Sequence, residues 1–332
     1  MIFMVGLSTL ITIFVGGKLY MAGEVSAGNI TEFIYYVNLL TWPIASIGWV
    51  TALVQSASAS MERLDEFLNE TPDFAGGQFT PTEFQGHIVF DKVSFTYPNS
   101  GVQALKEISF ELKSGQSIGV LGKTGSGKST IAALIVRQYD PTSGSISIDG
   151  VDLKEWNLPA LKAHLGWVPQ EAFLFSDTIA NNIAFGMDHT ELKEVVAAAE
   201  SAGVHENIIE FPNKYDTRVG ERGVTLSGGQ KQRVSIARAL IKKPEIMIFD
   251  DCLSAVDTET EEIILNNIKA ATQDVSSLII AHRISSVKHC DQIVCLEDGC
   301  VIERGTADEL ERAGGHFAEL VALQLDPSKE EN

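Results

Sequence analysis

The fold of this chain is decided by Gly122-Lys123-Thr124-Gly125-Ser126-Gly127-Lys128-Ser129-Thr130, called the phosphate loop below. An apolar run, Ser117 to Leu121, precedes it and an Ala/Leu/Ile-rich run, Ser129 to Gln138, follows it, which predicts a strand, a loop and a helix. In such a loop the glycines let backbone amides close around a β-phosphate, Lys128 neutralises the β- and γ-phosphates, and Ser129 can ligate Mg²⁺. The stretch therefore predicts a site for a nucleoside triphosphate and Mg²⁺.

The segments on either side of the phosphate loop indicate an α/β fold. Short apolar runs predict further strands at Leu165 to Val168, Ile246 to Phe249 and Leu278 to Ala281. Before the loop, apolar residues alternate and predict an antiparallel β layer at Ile88-Val89-Phe90, Val93-Ser94-Phe95 and Ile108 to Leu112. Residues 171–239 are mostly helical in pattern, which predicts a separate helical lobe.

Asp250, which ends the apolar run Ile246 to Phe249, is a second candidate metal ligand. A buried parallel strand that ends in a carboxylate can bring a Mg²⁺-linked Asp to the phosphate loop. Many parallel strands end in Asp, so the assignment depends on the phosphate loop of the same chain.

The first 61 residues contain only three charged side chains, those of Lys18, Glu24 and Glu32. Met1 to Gly17 is uncharged, and so is Phe33 to Met61, which as a helix would be about 43 Å long and exceed a hydrocarbon core of roughly 30 Å. We expect two membrane helices joined by a loop at Lys18 to Glu32. A signal peptide is the alternative for the first run and a buried core helix for the second. The flanking charges do not settle the orientation.

The rest of the chain carries almost all of the net charge of -19. This acidic excess argues against nonspecific nucleic-acid binding, which needs Lys and Arg to neutralise phosphates. We therefore expect no nucleic-acid partner. The four cysteines show no CxxC spacing and are expected to be reduced, packed thiols: Cys252, Cys290, Cys295 and Cys300.

Composition also predicts the domain boundaries. Residues 1–70 are expected to hold the two membrane helices and a connecting helix, Met61 to Leu68. Thr71-Pro72 and Gly76-Gly77 indicate a linker at residues 71–86. Residues 87–325 are expected to form the nucleotide-binding domain, and 326–332 an acidic tail.

Leu226-Ser227-Gly228-Gly229-Gln230, which lies shortly before the strand ending in Asp250, identifies the family. With the phosphate loop it resembles the signature motif of ATP-binding cassette (ABC) proteins, and the resemblance covers about Gly86 to Leu325. It implies a P-loop NTPase cassette with a RecA-like α/β core, an antiparallel β subdomain and a helical subdomain, and it implies ATP and Mg²⁺ as ligands.

The signature also implies a partner. Ser227 and the amides of Gly228 and Gly229 stand at the start of a helix from Gln230 to Ile241, where donors and the positive dipole end suit a phosphate. In the ABC family that phosphate is the γ-phosphate of ATP held by the opposite cassette. The resemblance therefore implies a second half-transporter subunit.

Four more positions match motifs of the ABC family. The resemblance implies that Tyr97 stacks on adenine, that Gln170 reaches Mg²⁺ and the attacking water, and that His282 contacts the γ-phosphate. Asp257, in Ser254-Ala255-Val256-Asp257, matches the D-loop. The alternatives are a buried strand tyrosine, a polar turn residue after Pro169 and a structural histidine.

Two features are similar to ABC exporters in particular. Thr217 to Gly223 resembles the X-loop, which contacts the intracellular ends of membrane helices, although a charged surface turn is the alternative. The N-terminal helices are similar to the fifth and sixth of an exporter's six, and Pro43 is expected to bend the latter. The resemblance implies the C-terminal part of a half-transporter in the inner (plasma) membrane, surrounded by lipid, with its cassette in the cytoplasm.

Asp251 departs from the family pattern, which places a Glu after the Mg²⁺-linked Asp to polarise the hydrolytic water. The missing methylene withdraws the carboxylate by about 1.5 Å, and a displacement of about 1 Å can cost on the order of 100-fold in rate. We therefore expect ATP binding with slow hydrolysis; the alternative is an aspartate that recovers some activity through a bridging water. In heterodimeric exporters one subunit often combines this Asp with an intact signature, so the resemblance favours a heterodimer over a homodimer.

The leading interpretation is an ATP-hydrolysing exporter subunit for a small molecule, drug or lipid. Polar and aromatic side chains of the membrane helices either line a substrate path or act as anchors: Tyr35, Tyr36, Asn38, Trp42, Trp49 and Gln55. A soluble ABC ATPase acting on nucleic acid or ribosomes is one alternative, which the uncharged runs and acidic balance disfavour. The other is a module that ATP gates with little turnover, consistent with Asp251.

Overall fold

The computed structural model describes residues 2–70, 76–220, 226–252, 267 and 275–325. The chain divides into two compact units, Met1–Ala75 and Gly76–Asn332. The first unit is helical, and the second contains both β-sheets.

The first unit consists of helices α1 (Ile2–Met21) and α2 (Ala27–Leu68). Each is long and apolar enough to cross a membrane, with a mean hydropathy of 1.5 in its apolar window. The two helices approach closely at Gly16, where an added Cβ would lie 2.9 Å from the side chain of Ile30. A residue without a side chain at this point lets the helix backbones come together.

Helix α2 is longer than the sequence predicts at both ends. It begins after Ser26, whose hydroxyl accepts the Asn29 amide while the Asn29 side chain accepts the Ser26 amide, so the predicted loop to Glu32 is shorter. It continues through Pro43 and includes the predicted separate helix Met61 to Leu68. Its 42 residues give a length of about 63 Å at ~1.5 Å per residue, which exceeds a hydrocarbon core.

The second unit alternates helices and strands. Its helices are α3 (Lys128–Ile135), α4 (Leu158–His164), α5 (Ile179–Ile183), α6 (Leu192–Ser201), α7 (His205–Ile209), α8 (Gly228–Leu240), α9 (Ile284–Val287), α10 (Ala307–Ala313) and α11 (His316–Leu325). Its strands are β1 (Ile88–Thr96), β2 (Gln103–Leu112), β3 (Ser117–Gly122), β4 (Ser143–Ile148), β5 (Val151–Asp152), β6 (Leu165–Val168), β7 (Ile246–Asp250), β8 (Ser276–Ala281), β9 (Gln292–Glu297) and β10 (Cys300–Gly305).

A six-stranded sheet in the order β10-β9-β3-β8-β7-β6 forms the α/β core. Strands β9, β3, β8, β7 and β6 are parallel, and β10 pairs antiparallel with β9. The carboxyl ends of β3, β8 and β7 therefore open at one edge, where ligands bind in parallel α/β sheets. The predicted P-loop NTPase core is confirmed.

The predicted antiparallel layer is a four-stranded sheet in the order β2-β1-β4-β5. Helices α5 to α8 form the predicted helical lobe, and its apolar core also includes residues of β6 and β7. Helix α3 ends at Ile135, before the predicted Gln138, because Arg137 adopts a left-handed φ of 52°. Arg137 is buried and donates to the Asp140 carboxylate (3.1 Å) and the Trp156 carbonyl (3.3 Å).

Residues 76–86, which the sequence predicts as linker, pack against the nucleotide-binding unit. The Phe79 amide donates to the Glu155 carbonyl (2.9 Å), and the rings of Phe79 and Phe84 meet the buried Trp156 edge-on. Phe84 also stacks on His164, with 4.3 Å between ring centroids. The compact unit begins at Gly76 rather than at residue 87 because these apolar rings cover Trp156.

We expect Phe84→Ala to lower the free energy of unfolding by about 2 kcal/mol, since it removes a half-buried ring from Trp156 and His164. The measurement is denaturant unfolding of the detergent-solubilised chain, followed by near-UV circular dichroism. Phe173→Ala, at an exposed ring, is the control and is expected to change stability by under about 0.5 kcal/mol. Equal effects of the two substitutions would contradict the packing of residues 76–86 on this unit.

Candidate nucleotide site

A cavity of about 590 Å³ brings together most of the predicted site residues. Six phosphate-loop residues line it: Thr124, Gly125, Gly127, Lys128, Ser129 and Thr130. Tyr97, Gln170, Asp250, Asp251 and His282 line it as well. The topology explains the grouping, because the phosphate loop lies at the end of β3, Asp250 ends β7, Asp251 follows it, and His282 follows β8.

Lys128 begins α3 and supplies the positive charge of the cavity. Its ammonium is largely buried and donates to the carbonyl oxygens of Gly122 (2.7 Å) and Lys123 (2.9 Å). Burial lowers the pKa of Lys128, while the charges of Asp251 and Asp250 oppose that shift. Phosphate oxygens in this cavity would compensate the buried ammonium.

Ser129 and Asp250 form a ready pair of oxygen ligands. The Ser129 hydroxyl donates to Asp250 Oδ1 over 2.9 Å. Burial raises the pKa of Asp250, an effect that the hydrogen bond from Ser129 counters in part. Hydroxyl and carboxylate oxygens are the ligands that Mg²⁺ prefers, and Gln170 adds a side-chain amide to the same cavity. Ser129, Asp250 and Gln170 therefore fit Mg²⁺ and would hold it, and the ion would supply positive charge to neutralise a phosphate group.

Asp251, Gln170 and His282 lie close together in the cavity. The Gln170 amide donates to Asp251 Oδ2 over 3.5 Å, and His282 Nε2 lies 4.0 Å from the same oxygen. Burial raises the pKa of Asp251, while the charges of His282 and Lys128 lower it. Gln170 and His282 thus both approach the same carboxylate oxygen of Asp251, and these are the three side chains that the sequence predicts to be catalytic.

Tyr97 lines the same cavity and lies on the segment that follows β1. Its hydroxyl is 3.0 Å from Thr130 Oγ1, and its ring packs edge-on against Phe95 and Tyr139. The ring is half-buried and held on two sides, so it is a fixed aromatic surface. Such a surface suits a nucleobase.

The signature residues Ser227 to Gln230 are not among the described residues that line this cavity. They begin α8, where the Ser227 hydroxyl accepts the Gln230 amide (3.2 Å) and the Gln230 side chain accepts the Ser227 amide (3.0 Å). Ser227 and Gly228 are exposed. The hydroxyl proton of Ser227 and the first amides of α8 can therefore meet a phosphate from outside.

Asp257 of the D-loop and residues 221–223 of the X-loop lie outside the described residues. The cavity also has lining residues that the sequence motifs do not predict: Val102, Gln103, Ala104, Lys106, Ile280, Asp298 and Gly299. Asp298-Gly299 carries a recognisable hairpin signal, a two-residue turn with positive φ, but the sequence does not show that the turn reaches the phosphate loop.

A family model described as "ABC transporter" matches residues 105–254. This stretch contains the phosphate loop, Gln170, the signature and Asp250-Asp251. The match therefore covers the catalytic motifs that the cavity and α8 present.

Two known proteins similar to this chain are described as an ABC transporter protein and as a lipid flippase. A "Probable multidrug resistance ABC transporter ATP-binding/permease protein YheI" of Bacillus subtilis is 41% identical over 97% of this chain and 55% of its own length. An "ATP-dependent lipid A-core flippase" of Pseudomonas putida is 40% identical over 94% of this chain and 52% of its own length. The chain thus spans about half the length of the curated relatives it matches.

Among solved structures, a bacterial Atm1-family ABC exporter with ATP bound has a TM-score of 0.82 and 36% identity. The match covers 96% of this chain and 57% of the exporter chain. It extends over both the apolar helices and the nucleotide-binding unit, because nearly the whole chain is aligned.

We expect Asp250→Asn to raise the melting temperature of the nucleotide-free chain at pH 7 by about 2–4 °C. A raised pKa means that the folded state disfavours the ionised carboxylate, so the stability this group contributes is present below about pH 4 and is lost as pH rises through the folded pKa. The gain from Asn should therefore vanish in acid. Differential scanning calorimetry at several pH values measures both effects.

The same variant should lose most of the stabilisation that Mg-ATP gives the unsubstituted chain, because a metal ligand is missing. Asp91→Asn, at an exposed position of β1, is the control and is expected to change neither property. A lower melting temperature for nucleotide-free Asp250→Asn at pH 7 would contradict the charge assignment.

Proposed function

We propose that this chain, which belongs to the ABC transporter family, is an ATP-hydrolysing subunit of an exporter that moves a small molecule, drug or lipid across the inner (plasma) membrane. The observation that carries the proposal is the cavity shared by the phosphate loop, Asp250, Asp251, Gln170 and His282. It combines charge for a triphosphate, oxygen ligands for Mg²⁺ and a carboxylate beside the expected position of the water.

The transport part of the proposal rests on the first unit and on the relatives. Helices α1 and α2 are each long and apolar enough to span a bilayer. The similar proteins are described as a permease, a flippase and an exporter, and their matches cover 97%, 94% and 96% of this chain. Two helices of this length and hydropathy are not expected in a soluble ABC ATPase that acts on nucleic acid. The net charge of -19 also disfavours nucleic-acid binding.

In the proposed mechanism each ATP lies between two cassettes. The phosphate loop, Asp250 and Tyr97 of one chain hold the nucleotide, and the signature of the second chain contributes Ser227 and the first amides of α8 to the γ-phosphate. The exposure of Ser227 and its position outside its own cavity support this arrangement. Binding of ATP closes the pair and hydrolysis opens it, which alternates access through the membrane helices.

The chain's own site is proposed to hydrolyse ATP slowly. Asp251 has a positive φ of 44°, and its amide donates to the Ile280 carbonyl over 2.8 Å, so the backbone holds the side chain in place. Asp adopts this left-handed region more readily than most residues with a side chain. A carboxylate fixed at this point, one methylene shorter than Glu, falls short of a water beside the γ-phosphate.

A heterodimer accounts for both the intact signature and the slow ATP site of this chain. Its intact signature would complete the site of a partner subunit that carries Glu at the position of Asp251. Its own phosphate loop would hold ATP for longer. A homodimer would contain two slow sites, and for that reason we favour the heterodimer.

We expect Asp251→Glu to raise the ATP turnover of the chain on the order of 100-fold, because the longer side chain reaches the water. The assay measures phosphate release in detergent, for the chain alone and mixed with a Glu-bearing partner subunit. The control is Asp251→Asn, which keeps the size and removes the charge, and it should lower turnover in the chain alone. Fast turnover of the unsubstituted chain alone would contradict the slow site.

The same assay separates the transporter from a module that ATP only gates. If Asp251→Glu binds Mg-ATP normally but gains no turnover with either partner arrangement, the site serves as a gate. Recovery of turnover supports a hydrolysing subunit with one weak site.

We also expect the expressed chain to sediment with the membrane fraction and to require detergent for extraction, because α1 and α2 expose long apolar surfaces. Carbonate washing at high pH separates integral from peripheral association. Recovery of the folded chain in the aqueous fraction without detergent would contradict the exporter proposal.

A further inference from the structure

The turn Asp298-Gly299, between β9 and β10, belongs to none of the motifs discussed above, yet it lines the nucleotide cavity. Both residues have positive φ, 49° for Asp298 and 80° for Gly299. This is the backbone of a two-residue hairpin turn of the kind that an Asp-Gly pair favours. The geometry of the turn is therefore enough to explain the Asp-Gly pair, but it does not explain the contacts that the turn makes in the cavity.

Gly299 joins two parts of the cavity through its backbone. Its amide donates to the carbonyl of Ser126 in the phosphate loop over 3.2 Å. Its carbonyl accepts the amide of Lys106 in β2 over 2.8 Å. Gly299 is thus hydrogen-bonded both to the phosphate loop and to β2, two segments that line the cavity.

A backbone oxygen, that of Ala104 in β2, packs between Gly299 and the phosphate loop. A Cβ added to Gly299 would lie 2.7 Å from this oxygen, and one added to Gly127 would overlap the same oxygen. Both glycines are therefore required for the close approach, independently of their φ angles. The contact is rigid because the neighbouring atom is backbone, which cannot rotate away.

We propose that Gly299 is a positioning residue for ATP, which sets the separation between the phosphate loop and the base-binding side of the cavity. That side consists of Tyr97 and the first residues of β2. A nucleoside triphosphate has a base and a phosphate chain at a limited separation, so both ends bind well only when the two protein surfaces are correctly spaced. The inference rests on the proposed ATP site and names a residue that the site requires.

The chain contains a matched control in the turn Asp149-Gly150, between β4 and β5. The residue pair is the same, and the φ angles are nearly equal, 52° and 79°. A Cβ added to Gly150 meets nothing within 4 Å. An Ala substitution therefore imposes the same backbone strain at Gly150 and Gly299, and only the second also pushes against Ala104.

The experiment measures binding of Mg-ATP and of inorganic tripolyphosphate to the detergent-solubilised chain by isothermal titration calorimetry. We expect Gly299→Ala to weaken Mg-ATP binding about tenfold. Tripolyphosphate has no base, so its affinity should change by no more than about twofold. Gly150→Ala should leave both affinities unchanged while lowering the melting temperature.

If Gly299→Ala weakened the binding of Mg-ATP and of tripolyphosphate equally, the proposal would be overturned, because the substitution would then only have damaged the phosphate loop. Unchanged Mg-ATP binding by Gly299→Ala would overturn it as well. Absence of Mg-ATP binding by the unsubstituted chain would overturn the proposed function itself, which separates the two failures.

If Gly299→Ala does not fold, hydrogen exchange in the unsubstituted chain tests the proposed role of Gly299. Because coupling is reciprocal, Mg-ATP should slow exchange of the Gly299 and Lys106 amides. The Asp149 amide, which donates to the His87 carbonyl over 2.8 Å in the control hairpin, should exchange at its original rate. No added protection at Gly299 and Lys106 would overturn the proposal.

Discussion

The parallel alignment of β3, β8 and β7 is the constraint on which the rest of the nucleotide site depends. Their registers pair Leu121 with Ala281 and Asp250 with Ile280, so all three strands end at the same level. The phosphate loop, the two aspartates and His282 follow those ends directly. No long side chain or special loop is needed to bring them together, because the hydrogen bonds of the sheet already do so.

This alignment also concentrates charge in a buried place. Lys128 and Asp250 are both largely buried, and Asp251 lies beside them. Burial shifts the pKa of the lysine down and the pKa values of the two aspartates up, so each charged form is disfavoured. In the proposed complex, the charge of Lys128 would lie beside phosphate oxygens and the charges of the aspartates beside Mg²⁺, which would offset that penalty. The site is therefore less stable without its ligand than a neutral core would be, and binding recovers the difference.

Local sequence patterns predict the elements of this site better than they predict its boundaries and neighbours. The strand from Leu165 to Val168 and the one from Ile246 onward follow from their apolar runs. The end of α3 does not, because it depends on hydrogen bonds from Arg137 to Asp140 and to Trp156. The start of the nucleotide-binding unit at Gly76 likewise depends on the aromatic contacts of Phe79 and Phe84. Contacts between distant segments leave no periodic signal in a single sequence.

The position of the signature outside the cavity has a consequence for substitutions. In the proposed dimer, a change at Asp251 alters the chain's own ATP site, whereas a change at Ser227 alters the site held by its partner. In a homodimer either substitution would therefore alter both ATP sites, whereas in a heterodimer the Asp251 substitution would alter one site and the Ser227 substitution the other. Ser227 is exposed and Asp251 is largely buried on the same chain. The ATP turnover of variants with a single substitution at one of these positions would therefore distinguish a homodimer from a heterodimer.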